Sequence, residues 1–190
     1  MERSAEKPTP KLEDLIVVRG FVASFADQLV EKSKQPHVEQ WTPKDAAVRF
    51  KDLDSTLERI KNQETHLMVD VNTFDVGGTI WYLREEPPID ISPYNTTYTF
   101  AIRLYEDYVK KGLAIPFMRR SLSDFIEDRR LSGELQDLGG IWLSVKKNNR
   151  DAIGLYERFG YETVGSYNDI DDRLIMVLPA ERILEIFRGA

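Results

Sequence analysis

The run Ile141-Trp142-Leu143-Ser144-Val145-Lys146-Lys147-Asn148-Asn149-Arg150-Asp151-Ala152-Ile153-Gly154-Leu155-Tyr156-Glu157-Arg158-Phe159-Gly160-Tyr161 divides by chemistry into distinct parts. Gly139-Gly140 precedes an apolar, β-branched and aromatic stretch, and Ile141 to Val145 reads as a strand. Asn149 is a residue type that caps helices, and it stands just before Arg150 to Phe159, a short helical segment. Gly160 ends that segment as a natural C′ residue, and Tyr161 opens a further strand, Tyr161 to Tyr167.

A second informative run lies upstream, Leu104-Tyr105-Glu106-Asp107-Tyr108-Val109-Lys110-Lys111-Gly112-Leu113-Ala114. It ends a strand (Thr96 to Tyr105), turns, and opens a helix from Gly112 to about Arg130, with Met118, Leu122, Phe125 and Ile126 on one face. Strand, tight turn and helix N-terminus together make an anion site, because unpaired backbone N–H groups converge there and the helix dipole favours negative charge. Gly112 lets a phosphate approach the backbone, and Lys110 and Lys111 add positive charge. The run is not a P-loop, since no Gly-Lys-Ser/Thr follows, and it lacks the further glycines of a dinucleotide fingerprint.

Taken together the two runs resemble the GNAT superfamily of N-acetyltransferases. In that family a strand ends in Asn, Ala follows three residues on, Leu-Tyr lies in the next helix, and Gly-aromatic closes it. Asn149, Ala152, Leu155-Tyr156 and Gly160-Tyr161 keep that spacing. The family's pyrophosphate loop, Gln/Arg-x-x-Gly-x-Gly/Ala, falls on Val109-Lys110-Lys111-Gly112-Leu113-Ala114. Val109 departs from the usual Arg or Gln, and Ile115-Pro116 replaces the small polar and apolar pair of the first helical turn.

The resemblance implies acetyl-CoA as cosubstrate, bound in a V-shaped opening between two splayed central strands, here Thr96–Tyr105 and Ile141–Val145. It implies that Leu104 offers its backbone to pantetheine and the thioester carbonyl. Val109, Lys110, Lys111, Gly112, Leu113 and Ala114 would cradle the pyrophosphate, and Asn149 would bond the pantetheine arm. Tyr156 would be the general acid for the leaving thiolate; a phenol is protonated at neutral pH and can donate. No base is evident. Tyr98 stands about where some members carry a glutamate, and Glu85, Glu86 and Glu106 are the nearby carboxylates. His37 and Trp41 lie between the first two helices, where the family often forms its acceptor wall. The implied reaction is acetyl transfer to an amine. A non-catalytic binding or regulatory module, or an enzyme using another acyl-CoA, is the alternative.

The rest of the chain fits an α+β (mixed α/β) fold of this GNAT-like kind, a mostly antiparallel sheet with splayed middle strands flanked by helices. Ile16 to Val18 predicts a first strand and Phe21 to Lys34 a helix. Gln35 to Pro43 reads as a polar connector, with Thr42-Pro43 as N-cap and first residue of a helical stretch running in one or two pieces to about Asn62. His66 to Val71 and Thr79 to Arg84 predict a hairpin turning at Gly77-Gly78, and Glu86 to Ser92 a loop. Leu174 to Leu178 predicts the last strand, after an acidic turn at Asp169, Asp171 and Asp172, and Pro179 to Arg188 a final helix.

Length and composition bound these readings. At 190 residues the chain is expected to be a single domain, with residues 1–11 flexible. It has no cysteine, which removes disulfides and thiolate chemistry, and its two histidines do not suggest a metal site. The net charge of −6 argues against nucleic acid as partner, and hints faintly at a cationic acceptor such as a polyamine, an aminoglycoside or a protein N-terminus. No signal peptide and no span of roughly 20 apolar residues is visible, so a cytoplasmic monomer or homodimer with no membrane partner is the expectation.

Overall fold

The computed structural model describes residues 10–19, 23–94, 96, 98–167 and 172–188. The elements are β1 (Leu15–Arg19), α1 (Ala26–Ser33), α2 (Pro36–Trp41), α3 (Leu53–Lys61), β2 (Glu64–Asp70), β3 (Val76–Arg84), β4 (Tyr98–Leu104), α4 (Ala114–Ser132), β5 (Gly140–Lys146), α5 (Arg150–Phe159), β6 (Glu162–Tyr167), β7 (Arg173–Pro179) and α6 (Ala180–Arg188). The strands form one seven-stranded sheet in the order β1-β2-β3-β4-β5-β7-β6. Neighbours are antiparallel except β4 and β5, which run parallel. Among the described residues no helix is long and apolar enough to cross a membrane.

Alternation along the strands gives the sheet two apolar faces. Ile80, Tyr82, Phe100 and Ile102 pack against Phe117, Met118, Leu122, Phe125 and Ile126 of α4, together with Ile153 and Tyr156 of α5. On the opposite face Leu67, Val69, Val76 and Trp81 meet Leu29 of α1, Val38 of α2 and Ile60 of α3. Farther along that second direction Trp142, Ile175 and Val177 pack with Ile91 from the connection between β3 and β4. The Trp142 indole N–H fastens this connection by donating to the Glu85 carbonyl at 2.8 Å.

The structure departs from the expected hairpin turn. Gly77 and Gly78 lie inside β3, and the chain reverses one step earlier, where Asp70 Oδ1 accepts from the N–H groups of Asn72 and Thr73 at 2.8 and 3.1 Å. The glycines serve close packing instead. A Cβ on Gly77 would stand 2.6 Å from the Tyr108 ring, and one on Gly78 would stand 2.8 Å from the Arg103 carbonyl oxygen.

The segment between the first helices also differs. Gln35 to Pro43 is not a plain connector, because it contains α2, with Pro36 at the helix start where a missing N–H costs nothing. As expected, a helical stretch opens at Pro43 directly after Thr42, whose carbonyl accepts from the Asp45 N–H at 2.8 Å; the Thr42 hydroxyl, however, closes α2, donating back to the Val38 carbonyl at 2.8 Å. The chain then makes one widened turn, Asp45–Arg49, in which the Phe50 N–H donates to the Asp45 carbonyl at 2.7 Å. α3 begins at a reciprocal cap between Asp52 and Ser55. The expected helix from Phe21 starts later, at a short turn Ala23–Phe25 followed by α1, with Phe21 and Val22 outside the described residues. Asp169 and Asp171 of the expected acidic turn, and most of the expected flexible start, also lie outside them.

The widened turn buries Asp45, leaving it 1% exposed. Its Oδ2 accepts from Arg103 Nε of β4 at 2.7 Å and its Oδ1 from Arg49 Nη1 at 2.8 Å, so one carboxylate ties the α2–α3 connection to the sheet. Burial by itself would raise the Asp45 pKa. The charges and hydrogen bonds of Arg103 and Arg49 outweigh it and hold the carboxyl below the usual aspartate range.

Three expectations follow. Asp45→Asn is expected to lower the unfolding free energy by about 3 kcal/mol, the cost of breaking a buried ion pair from one side. The native pKa lies below the unfolded one, so Asp45 contributes fully above the unfolded value near 4 and loses its contribution as pH falls through the native value. Urea unfolding at pH 7 and at pH 3 checks this: the gap between wild type and variant should be smaller at the second than at the first. Gly77→Ala is expected to destabilise by about 1–3 kcal/mol through overpacking against Tyr108. In the same unfolding experiment Gly154→Ala, inside α5 and meeting only the mobile end of Arg158 at 3.4 Å, is expected to add up to about 1 kcal/mol.

Candidate active site between the two central strands

β4 and β5 pair only at Tyr98 with Ile141 and Thr99 with Trp142. Beyond these residues both strands continue, to Leu104 and Lys146, with no ladder between them. The Tyr105 N–H donates to the Gly77 carbonyl at 3.0 Å. Antiparallel alternation therefore turns the backbone of Arg103 and Tyr105 toward β3, and the N–H and C=O groups of Ile102 and Leu104 toward the gap. The two gap-facing carbonyls have side-chain partners. Arg103 Nη1 donates to the Ile102 carbonyl at 2.7 Å, and His37 Nε2 donates to the Leu104 carbonyl at 3.0 Å. A carbonyl only accepts, so His37 carries its proton on Nε2. The edge is left offering the N–H groups of Ile102 and Leu104.

β4 runs out of the gap into a short helical turn, Glu106–Tyr108, and then into the loop Val109 to Leu113 that opens α4. Tyr108 and Leu113 are buried and anchor the loop, whereas Lys110, Lys111 and Gly112 are exposed. Lys110 and Gly112 adopt positive φ, 59° and 74°, and Leu113 returns to right-handed helical geometry. Such a change of hand points successive N–H groups to one side, which is the form of an anion-binding nest. Among the described residues no acceptor takes the N–H groups of Lys110, Lys111, Gly112, Leu113, Ala114 or Ile115, and Pro116 has none to place. A Cβ on Gly112 would meet no atom within 4 Å, so the glycine answers to its backbone angle and leaves open space above the loop.

On the other side of the gap, Asn149 caps α5, its Oδ1 accepting from the Ala152 N–H at 3.2 Å. The cap uses the oxygen and leaves the amide N–H₂ available to donate. Tyr156 lies one to two turns into α5, buried beside Phe100 and Tyr161, with ring centroids 6.4 and 5.7 Å away. Burial raises its pKa above the ordinary phenol value and the Arg103 charge pulls it part of the way back, so the hydroxyl is neutral at physiological pH.

Leu104 and the loop Val109 to Ala114 thus continue from the unpaired end of β4, and Asn149 and Tyr156 follow the unpaired end of β5, whereas other sequence candidates lie elsewhere. Tyr98 sits where β4 and β5 still pair, with its ring against Phe125 and its hydroxyl 3.4 Å from Glu134, on the α4 side. Glu106 is exposed on the turn after β4. Trp81 and Trp142 are core residues. Two groups at the opening were not singled out from the sequence, Arg103 and its partner Asp45. Arg103 had one signal, a charged residue inside the apolar strand Phe100-Ala101-Ile102-Arg103-Leu104. Asp45 had none.

No family model and no curated protein sequence matches the chain. Solved structures do. The chain is similar to ribosomal-protein-S5-alanine acetyltransferase from Vibrio fischeri, with TM-score 0.65, 17% identity, and 92% of this chain and 98% of that one covered. It is similar to spermidine N-acetyltransferase from Vibrio cholerae, solved with CoA and spermine, at TM-score 0.66 and 15% identity over 90% and 99% of the two chains. It is similar also to aminoglycoside N(6′)-acetyltransferase from Legionella pneumophila, at TM-score 0.65 and 19% identity over 90% and 95%. The splayed strands, the loop before α4 and the capped helix α5 give this chain the fold of the GNAT acetyltransferases.

Proposed function

We propose that the protein transfers an acetyl group from acetyl-CoA to an amine. The observation that carries this reading is the row of six N–H groups, Lys110 to Ile115, without acceptors among the described residues, at the mouth of an unpaired strand edge. The arrangement suits a ligand with a diphosphate at one end and an acyl carbonyl at the other. Acetyl-CoA supplies the activated acetyl group. Lys110, Lys111, Gly112, Leu113 and Ala114 bind the diphosphate through backbone N–H groups at the positive end of α4, while the Val109 N–H is already given to the Glu106 carbonyl at 3.4 Å. Asn149 orients the pantetheine arm with its free amide N–H₂. The Leu104 N–H donates to the acetyl carbonyl oxygen, where negative charge develops as the amine nitrogen attacks; a fixed backbone donor needs no reorganisation at that moment. Tyr156 gives its hydroxyl proton to the departing sulfur, and the attacking nitrogen releases a proton to water.

Two variants test the two ends of the site. Gly112→Glu is expected to abolish the thermal stabilisation that saturating acetyl-CoA gives wild type, about 2.7 kcal/mol at 100 times the dissociation constant. Gly112→Ala shares the strain of φ +74° without the negative charge, and is expected to keep most of it. Equal binding by wild type and the glutamate variant would remove the loop from the site. Tyr156→Phe is expected to leave acetyl-CoA affinity unchanged and to lower kcat about 10²–10⁴-fold. Because burial holds the phenol above its ordinary pKa near 10, the wild-type rate should fall at high pH only beyond that value, and the variant should lack this limb. Full activity in the variant would reduce Tyr156 to a packing residue.

A further inference from the structure

The sheet face that carries Arg103 holds more positive charge than the protein balances. Asp45 engages Arg103 and Arg49, both through direct hydrogen bonds. Arg59 of α3 is the third guanidinium of the group. It lies over the same indole as Arg103, 5.7 Å from the Trp81 centroid where Arg103 is at 4.9 Å. Among the described residues it has no ion pair and no hydrogen bond, and its Nε is buried without a partner. Burial weighs against its charge, and so do Arg49 and Arg103. Asp45 and Glu85 only partly offset this, so its pKa lies below the usual arginine range. An arginine remains charged at neutral pH all the same. Three cations against the carboxylates of Asp45 and Glu85 leave one positive charge over.

A second orphan sits on the same face. Thr79 is directly opposite Arg103 across the β3–β4 ladder, which puts the two side chains on one side of the sheet. It is 1% exposed, and its Oγ1 has no hydrogen-bond partner among the described residues. The group adjoins the gap, because Arg103 itself donates into it at the Ile102 carbonyl.

We propose that the acceptor amine carries a carboxylate, held by Arg59 with Arg103 and Thr79 beside it, so that the amine is presented to the gap between β4 and β5. This rests on the acetyl-transfer reading of the site. A carboxylate matches the planar fork of a guanidinium, and its single charge equals the local excess, where a phosphate dianion would overshoot it. The same excess repels polyamines and aminoglycosides. The chain's overall charge of −6 therefore does not describe the acceptor side of the site.

The test measures initial rates with acetyl-CoA for amino acids, β-alanine, γ-aminobutyrate and dipeptides, each against its own carboxamide, with spermidine and O-phosphoethanolamine alongside. The expected result is a preference of at least about 100-fold in kcat/KM for the best acid over its amide. Arg59→Gln should raise the KM for that acid at least 10-fold, leave kcat and the acetyl-CoA thermal shift unchanged, and cost no Tm, since it removes a repelled cation. Arg59→Lys should recover part of the loss. Amides, spermidine or O-phosphoethanolamine used as well as the acids would overturn the proposal. So would a lowered Tm in Arg59→Gln with KM unchanged, which marks a packing residue. Saturation-transfer NMR of the same acids without acetyl-CoA separates the two readings. Acid binding that Arg59→Gln abolishes, in a protein that does not bind acetyl-CoA, would support the carboxylate site and remove acetyl transfer. Acetyl-CoA turnover of amides or spermidine would do the reverse.

Discussion

Two parallel strands that stop pairing after Thr99 and Trp142 set the terms for everything around them. A sheet interior is the worst place to leave backbone polar groups without partners, since a buried N–H or C=O that loses water and gains nothing costs about 1–3 kcal/mol. The molecule meets this only by half. It spends two side chains, Arg103 and His37, on the gap-facing carbonyls, and leaves the N–H groups. An edge treated this way is selective before any ligand arrives. It repels donors and attracts acceptors, which is what a thioester carbonyl is.

The same logic continues past the end of β4. Six more N–H groups without acceptors among the described residues follow in the loop and first turn of α4, and the helix adds its own positive end. Buried Tyr108 and Leu113 hold that loop from below, and Gly77 makes room for the Tyr108 ring inside β3. Packing on one side thus keeps the donors of the other side in place. The loop departs from the GNAT pattern at Val109, yet its donors are main-chain groups, which a side-chain replacement leaves present.

Charge is arranged against the trend of the whole protein. A chain of net charge −6 assembles Arg49, Arg59 and Arg103 near one buried carboxylate, Asp45. The carboxylate is secured by two partners, while the third arginine has no ion pair or hydrogen bond among the described residues. Acidic surface residues elsewhere are screened by water and salt and have little reach to this group. Net charge therefore says little about a half-buried site, where the near neighbours decide.

Read by itself, the sequence determined the architecture and one half of the candidate site. Apolar periodicity placed nearly every strand and helix, and the runs Val109 to Ala114 and Asn149 to Tyr161 marked the loop and the capped helix, because these features are local: a cap, a glycine, a helix start and a fixed spacing lie within a few residues of one another. The errors were also local features with a non-local cause. Gly77-Gly78 looked like a turn, but what selects glycine there is the ring of Tyr108, some thirty residues away. Gln35 to Pro43 looked like a connector, but Val38 earns its helix by packing with Leu29 and Phe50. Only tertiary structure could assemble the arginine group. Asp45 and Arg103 are 58 positions apart, and Arg59 and Trp81 meet across a helix–sheet interface. Nothing in the spacing of such residues encodes their meeting, since it arises from the way α3 and the widened turn pack on the sheet.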